Sequence, residues 1–294
     1  MPDCRVIKAT EKEDYLLALS FVLAHEKTCC ALTRKILDRT DGVHLIVHAP
    51  ARQNSARPLV DGVFFFLDDD IILPCLSGIK NCGLKALASF LEGKKLFCIS
   101  ALEDDIRKIH SCFTRLAVAP KLVERREYLF FEHQDEVAAR TAIAALPQEL
   151  EIRMAGTKDA ELILPLHFAY MREEVLINGR ELNEPFERRQ LIEALQNQVV
   201  VIATEKSGGN ALAKAGTNAI ACKVMQLGGV YTDKSARGRG IAAALTAFLA
   251  QSAAQKGMAT VLFVNKKNKN AISAYRKAGF RDNGRNYTIE YWEN

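Results

Sequence analysis

Four consecutive residues, placed between a strand-like run and a long Ala/Leu-rich run, could bind an anion. They are Arg237, Gly238, Arg239 and Gly240. Glycine lets the backbone approach a ligand closely, and arginine adds charged hydrogen-bond donors. The first turn of a helix adds unpaired N–H groups and the positive end of the helix dipole. The segment therefore predicts a diphosphate site, with an ordinary helix-capping turn as the alternative.

Three predicted elements must position this loop. A strand over residues 224–232 ends in Gly-Val-Tyr-Thr, and the helical run 241–254 begins directly after the loop. A second strand over 261–264 leads to Asn265, and a further helix carries Asn268 and Tyr275. The chemistry is therefore expected at the ends of two strands, each followed by a helix.

Two motifs in this order resemble those of the GNAT superfamily of acyl-CoA-dependent N-acetyltransferases. Arg237-x-x-Gly240-x-Ala242 is similar to the pyrophosphate loop of that family. The downstream pattern runs from Asn265 through Asn268 and Tyr275 to Gly279-Phe280, and it resembles the second half of the same cofactor site. The resemblance is clear over residues 150–294 and only suggestive before them.

The resemblance implies acetyl-CoA as acyl donor and N-acetyl transfer to a primary amine by direct attack in a ternary complex. The implied cofactor-binding residues are Val230, Tyr231, Thr232, Arg237, Gly238, Arg239, Gly240, Ile241, Ala242, Asn265 and Asn268. The N–H groups around Tyr231 would face the developing oxyanion, whereas a paired central strand is the structural alternative. Tyr275 would protonate the leaving thiolate, and its alternative is a packed helix tyrosine.

The general base is expected at Glu173 or Glu174, in the region where this fold usually binds its acceptor. Both could equally be surface charges at a helix end. The acceptor is then a small-molecule or peptide amine, and a donor longer than acetyl stays open. The competing function is a non-catalytic sensor of acyl-CoA. The sequence does not give the oligomeric state.

Composition limits the class of protein. With 294 residues, 49% hydrophobic and 26% charged, the chain is expected to form two globular domains. The net charge of +5 is mild, so nucleic-acid binding is not indicated. No apolar run is long enough for a membrane span or signal peptide, which favours a cytoplasmic protein without a membrane partner.

The sequence also gives no metal site. Seven of the eight cysteines lie between Cys4 and Cys112 among apolar neighbours, which favours buried reduced thiols. Three consecutive aspartates, Asp68 to Asp70, are interpreted as a solvated turn, because no further ligands follow at calcium-loop spacing.

The first half resembles the same fold without its motifs. Its predicted order of strands and helices is that of a GNAT domain, but residues 77–83 lack the Arg-x-x-Gly-x-Gly/Ala pattern. We therefore expect an α/β protein with tandem GNAT-like mixed-sheet domains, similar in layout alone to two-domain GNAT proteins such as mycothiol synthase. Residues 1–146 would be a degenerate domain with a structural or substrate-binding role, and 147–294 the catalytic domain.

Local patterns divide the chain near this boundary. Residues 134–147 are an Ala-rich helical run that would serve as the linker between the halves. Thr157 would cap a helix that ends near Arg172, and residues 173–187 would be a polar segment before the next helix.

Overall fold

The computed structural model describes residues 4–48, 58–67, 71–117, 119–177 and 180–293. The chain folds into two compact units, one of Met1–Tyr128 with Arg285–Asn294 and the other of Leu129–Gly284. Each unit has a mixed β-sheet with helices. The α/β class and the tandem layout expected from the sequence are confirmed. The aspartate turn expected at 68–70 lies outside the described residues.

The first unit contains five complete strands and four helices among the described residues. The strands are β1 Cys4–Lys8, β2 Val43–His48, β3 Val60–Phe65, β4 Ile71–Cys75 and β5 Cys98–Leu102. The helices are α1 Lys12–Val22, α2 Cys30–Leu37, α3 Asn81–Leu91 and α4 Glu103–Phe113. Strands β1 to β4 pair antiparallel in chain order, and β4 pairs parallel with β5.

Alternation along these strands produces a hydrophobic core on each face of the first sheet. Phe64 and Ile72 are buried in one cluster with residues of α3 and α4, whereas Phe65 and Leu73 are buried in another with residues of α1 and α2. Successive side chains of a strand point to opposite faces, so one apolar run supplies both cores.

Two long strands cross from one unit to the other along the chain. They are β6 Lys121–His133 and β12 Phe280–Glu293. The last part of β12 pairs antiparallel with β5, from Tyr287↔Leu102 to Tyr291↔Cys98. The C-terminal residues therefore complete the sheet of the first unit.

The second unit repeats the pairing pattern of the first. Its strands are β7 Leu150–Met154, β8 Val200–Glu205, β9 Ala211–Ile220, β10 Val224–Thr232 and β11 Ala259–Asn265. Its helices are α5 Glu136–Ala144, α6 Ala160–Tyr170, α7 Glu184–Asn197, α8 Ile241–Gln255 and α9 Lys269–Lys277. Strands β7 to β10 pair antiparallel in order, and β10 pairs parallel with β11.

Helix α8 lies against the second sheet through an alanine-rich surface. Ala244, Ala247 and Ala253 are fully buried. Ala247 belongs to the same core cluster as residues of β8, β9 and β11. The other face of the sheet packs against α6 and α7 through residues such as Ile163 and Leu191. Because alanine is small, α8 can approach the sheet closely. Because alanine favours the helical conformation, α8 can begin directly after Gly240.

The compact units divide the chain at 128 and 129, not at the boundary of 146 and 147 expected from composition. The Ala-rich helix α5 packs on the second unit, where Ala139 is fully buried with residues of α8. A helix that buries apolar surface in this way belongs to a domain core and is not an exposed linker.

Two local expectations were wrong, and a third holds only in part. Thr157 lies inside a 3₁₀ turn, and Asp159 instead accepts a hydrogen bond from the backbone N–H of Gly156 at 2.9 Å. Residues Met171–Val175 form a π-helical turn that continues α6, so the polar segment begins later than 173. Among the seven cysteines from Cys4 to Cys112, five are buried as expected, whereas Cys4 and Cys82 are half-buried.

Within the described residues, no helix combines the length and apolarity needed to cross a lipid bilayer.

Candidate active site

The loop between β10 and α8 has the backbone that its glycines predict. Gly238 has φ 80° and Gly240 has φ 79°, both in the left-handed region that costs other residues about 1–2 kcal/mol. A Cβ added at either position would meet no atom within 4 Å. The glycines are therefore required by conformation, and open space lies over the loop. Gly240 is the N-cap of α8, so the first N–H groups of this helix lie beside that space.

Arg237 connects the loop to the helical segment after α6. Its Nη2 lies 2.8 Å from Oε1 of Glu173 and 3.0 Å from Oε2. Its Nε donates to the carbonyl oxygen of Thr232 at 3.2 Å. The guanidinium also lies over the ring of Tyr231, 5.3 Å from its centroid. Arg237 is thus held beside the end of β10, although its side chain is 42% exposed.

Glu173 accepts hydrogen bonds from two of the residues expected to bind the cofactor. Besides Arg237, the hydroxyl of Tyr231 donates to Oε2 of Glu173 at 3.1 Å. Partial burial raises the pKa of Glu173, but the hydrogen bonds from Arg237 and Tyr231 and the charges of Arg237 and Lys234 outweigh it. The net pKa lies below the ordinary glutamate value, so Glu173 is ionised at neutral pH. Burial and the Glu173 carboxylate raise the pKa of Tyr231.

Strand β10 leaves its parallel partner before it ends. Its register with β11 runs from Val224↔Ala259 to Leu227↔Leu262, and residues 228–232 lie beyond it. On the other side, the register with β9 shifts between Gly228 and Tyr231, which marks a β-bulge. The backbone of Val230, Tyr231 and Thr232 therefore lies where the two parallel strands separate.

Thr232 provides an independent indication of a ligand site. Its Oγ1 is buried and has no hydrogen-bond partner among the described residues. Buried hydroxyl groups are nearly always hydrogen-bonded, so an unsatisfied one beside an open loop is suited to a bound molecule. Together with the left-handed glycines, it indicates that these residues fit a phosphorylated cofactor such as acetyl-CoA.

The asparagines of the second predicted motif make hydrogen bonds that stabilise local backbone turns. Asn268 is the N-cap of α9, where its Oδ1 accepts from the N–H of Ala271 at 3.0 Å and its Nδ2 donates to Oε1 of Glu174 at 3.1 Å. Asn265 accepts from the N–H of Lys267 at 2.9 Å. Both asparagines therefore fix local turns, and Asn268 also connects to the segment that carries Glu174.

Tyr275 lies on α9 in the hydrophobic core. Its side chain is buried, and its ring lies 6.3 Å from that of Phe280. Burial, followed by the neighbouring Tyr170 and Glu174, raises the pKa of Tyr275 well above its usual value. The phenol therefore keeps its proton at neutral pH, as a general acid must. It also fills core volume, as the structural alternative requires.

The remaining loop positions have separate contacts. Arg239 forms an ion pair with Glu149, Ile241 is buried, and Ala242 is half-buried at the start of α8.

Lys214 is a site residue that the sequence analysis missed. It lies on β9 opposite Tyr231, and its ammonium donates to the carbonyl oxygen of Gly229 at 2.8 Å. Its Nζ also lies 4.6 Å from the centroid of the Tyr170 ring. Complete burial lowers the pKa of Lys214 to about 8. The sequence signal for this residue was a lysine within the apolar run of β9, since lysine is rarely buried unless it is paired.

A half-buried His–Glu pair lies in the same unit and was also missed. Nε2 of His167 is 3.3 Å from Oε2 of Glu187, and the Nδ1 of His167 is buried without a partner among the described atoms. Burial, aided by the charge of Lys214, lowers the pKa of His167 to about 4. His167 is therefore neutral at pH 7.

Comparisons with known proteins concern the fold. Residues 208–292 match the family model described as FR47-like protein. A Drosophila protein of solved structure is 13% identical, covers 99% of this chain and 99% of its own, and has a TM-score of 0.64.

A tandem GNAT protein from the clavulanic acid biosynthesis pathway is 9% identical, covers 99% of this chain and 98% of its own, and has a TM-score of 0.62. The chain has a tandem GNAT fold. A GNAT-family acetyltransferase from Colwellia psychrerythraea is 14% identical, covers 99% of this chain and 100% of its own, and has a TM-score of 0.55. No curated protein matches the sequence. In this tandem GNAT chain, the residues described above all belong to the second unit.

Proposed function

We propose that the second unit is an N-acetyltransferase that transfers an acetyl group from acetyl-CoA to a primary amine. The observation that carries the proposal is the glycine loop before α8, with left-handed Gly238 and Gly240, open space above it and an unsatisfied Thr232 hydroxyl beside it. The named solved structures include an acetyltransferase of the same fold, which supports the reaction class.

Residues of the loop and of β10 would bind the donor. The N–H groups of residues 238–242 and the side chain of Arg237 would hold the diphosphate, because a helix N-terminus and a guanidinium both favour anions. To do so, Arg237 must exchange part of its ion pair with Glu173 for the phosphate. Bound acetyl-CoA would supply the thioester, the electrophile of the reaction.

Acyl transfer then requires three further groups of this chain. Backbone N–H groups at Val230, Tyr231 and Thr232 would stabilise the oxyanion where β10 separates from β11. Glu173 or Glu174 would accept the amine proton, directly or through water. Tyr275 would donate its proton to the departing sulfur as the C–S bond breaks, which leaves free coenzyme A and an amide product.

The two candidate bases have different contacts. Glu173 is ionised but already accepts from Tyr231 and Arg237, so its carboxylate is a weak base in the absence of donor. Glu174 hydrogen-bonds Asn268 and contributes to the raised pKa of Tyr275. We propose Glu174 as the group closer to the leaving thiol and Glu173 as the group coupled to the diphosphate loop.

A thiol-release assay tests the proposal. The full chain is incubated with acetyl-CoA and one acceptor per reaction, drawn from amines, amino acids, aminosugars and peptides. Free coenzyme A is measured against time. We expect amine-dependent thiol release with at least one class of acceptor, and mass spectrometry should find the acetylated amine. Saturable acetyl-CoA binding without turnover on any acceptor would favour the sensor function instead. A second titration with longer acyl-CoA donors would define the preferred acyl chain.

A further inference from the structure

We propose that the first unit contains a zinc site formed by Cys4, His48, Asp61 and Cys82. Each residue offers one ligand atom, and these atoms all lie within 4.8 Å of one another. None of the four takes part in the acyl-transfer site proposed above, so this inference does not depend on that function.

Three distances within the cluster lie close to those of tetrahedral coordination. Sγ of Cys4 lies 3.5 Å from Nδ1 and 3.9 Å from Nε2 of His48, and Nε2 of His48 lies 3.2 Å from Oδ1 of Asp61. Zinc–ligand bonds of about 2.0–2.3 Å at tetrahedral angles place neighbouring ligand atoms about 3.3–3.8 Å apart. Small rotations of the side chains would therefore bring all four atoms onto one ion.

The sheet register explains how residues far apart in the sequence meet. Cys4 and His48 are direct cross-strand partners on β1 and β2, so their side chains lie on the same face. The register between β2 and β3 shifts from Ile46↔Gly62 to Val47↔Val60, which leaves Asp61 as the extra residue of a bulge. A bulge redirects a side chain, and here it brings the carboxylate to His48.

The start of α3 completes the cluster. Cys82 lies in the first turn of this helix, and the backbone N–H of Lys80 donates to Oδ2 of Asp61 at 2.9 Å. This hydrogen bond orients the carboxylate and leaves Oδ1 towards His48, as outer partners of metal ligands commonly do. Helix N-termini also favour thiolates, the form of cysteine that binds metals.

Gly83 supports the same arrangement from the opposite side. A Cβ at this position would lie 2.5 Å from Oδ2 of Asp61 and 2.8 Å from Cγ1 of Ile79. Any other residue would displace the carboxylate from the cluster. The helix therefore carries a glycine where the approach of Asp61 requires one.

The chemistry of the ligands selects the metal. Two thiolates, one imidazole and one carboxylate in a four-coordinate cluster suit zinc, and a closed set of four protein ligands is typical of a structural site. His48 and Asp61 are buried, whereas Cys4 and Cys82 are half-buried, which leaves a route for the ion. Zinc would join β1, β2, β3 and α3, and so stabilise the unit that lacks the diphosphate loop.

Metal analysis of the full chain tests the site. The protein is purified under reducing conditions without a metal-affinity step, and its zinc is measured by inductively coupled plasma mass spectrometry. We expect about one zinc per chain. Because loss of even an outer partner lowers metal affinity about 10–100-fold, Cys82→Ser and His48→Ala should retain almost none. Cys222→Ser, at an exposed cysteine outside the cluster, is the matched control and should keep its zinc.

A second measurement avoids variants that fail to fold. The wild-type chain is stripped with a chelator, its secondary structure is checked by circular dichroism, and Co²⁺ is added in the presence of a thiol reductant. We expect the intense visible bands of tetrahedral cobalt and thiolate charge transfer, both displaced by Zn²⁺. The proposal is overturned if the folded, reduced protein binds neither ion, or if zinc content is the same in Cys82→Ser, His48→Ala and the control.

Discussion

The hydroxyl of Tyr275 is the group whose removal separates chemistry from binding. Tyr275→Phe keeps the ring that packs near Phe280 and deletes the proton donor. Since a positioned general acid contributes about 10²–10⁴-fold, we expect kcat to fall by that order with the Kd for acetyl-CoA unchanged. The control is Tyr15→Phe, at a buried tyrosine of the first unit. Unchanged kcat in Tyr275→Phe would remove Tyr275 from the general-acid role.

Glu173→Gln tests the coupling between Glu173 and the diphosphate loop. The variant removes the negative charge that holds Arg237 and so frees the guanidinium for phosphate. Because partly exposed ion pairs contribute about 0.2–1 kcal/mol, the Kd for acetyl-CoA should fall by at most about fivefold. Calorimetry of the variant beside Glu161→Gln, which removes an exposed ion pair to Arg188, provides the comparison. Weaker binding in Glu173→Gln would show that the carboxylate supports the loop.

Lys214 predicts a pH dependence of stability. Its pKa is lowered from 10.5 to about 8 by burial, so above pH 8 the unfolded chain binds the proton more strongly than the folded chain does. Stability should therefore rise as the pH increases from about 8 towards 10, by about 3 kcal/mol at most. Urea unfolding across this range should show that increment in wild type and in Lys206→Met, and not in Lys214→Met. An equal rise in Lys214→Met would contradict the assignment.

Two glycines that flank α8 allow a matched pair of substitutions. Gly240 precedes α8 with φ 79° and Gly257 follows it with φ 68°, and a Cβ would meet no atom within 4 Å at either. Valine at each position imposes similar backbone strain, of about 1–2 kcal/mol or more. We expect Gly240→Val to abolish acetyl-CoA binding and Gly257→Val to preserve it, as measured by calorimetry. Equal affinities in the two variants would refute the loop assignment.

Helix α8 depends on small side chains at its buried positions. Ala247 is fully buried against the sheet, whereas Ala254, near the end of the same helix, is exposed. Extra methylene groups in a packed core cost about 1–3 kcal/mol. Ala247→Leu should lower the free energy of unfolding by that amount in urea titrations, and Ala254→Leu should leave it nearly unchanged. A cost in Ala254→Leu as large as in Ala247→Leu would contradict the packing described.

The loop could be predicted because its motif is local in sequence. The long-range contacts of the site could not be predicted in this way. Residues 237–242 contain the glycines of the loop and the start of α8 within one short segment, so the conformation could be predicted from sequence. Diphosphate binding at this loop stays a prediction. By contrast, the hydrogen bonds from Tyr231 and Arg237 to Glu173 join residues 58 and 64 positions apart. The zinc ligands are similarly scattered over three strands and a helix, with no short spacing motif to reveal them. Strand register and β-bulges determine which distant residues come into contact, and both depend on tertiary packing.

At the scale of the whole molecule, the C-terminal strand completes the first unit. Glu290 on β12 is fully buried and pairs with Nη1 of Arg125 at 2.8 Å and with Nε2 of His110 at 2.7 Å. Sequence analysis did not assign this strand to the first unit, because chain order alone places it beside α9. Its apolar neighbours, including Trp292, belong to the core formed by α3 and α4.

Glu290→Gln should therefore destabilise the first unit. Glu290→Gln leaves Arg125 and His110, both about a third exposed, without their charged partner, and should cost about 1–3 kcal/mol. Glu127→Gln, at an exposed residue 3.5 Å from the same Arg125, should cost less than about 1 kcal/mol. Trp292 is the chain's single tryptophan, so its fluorescence during urea unfolding reports on this unit. Equal midpoints for the two variants would contradict the role of Glu290.

The central claim is that the second unit binds acetyl-CoA at the loop before α8. Calorimetric titration of the full wild-type chain with acetyl-CoA tests it most directly. The structure predicts saturable binding of one molecule per chain, with affinity that weakens as salt screens Arg237 and the helix N-terminus. The absence of saturable binding to the folded protein would contradict the claim, and with it the proposed acetyl transfer.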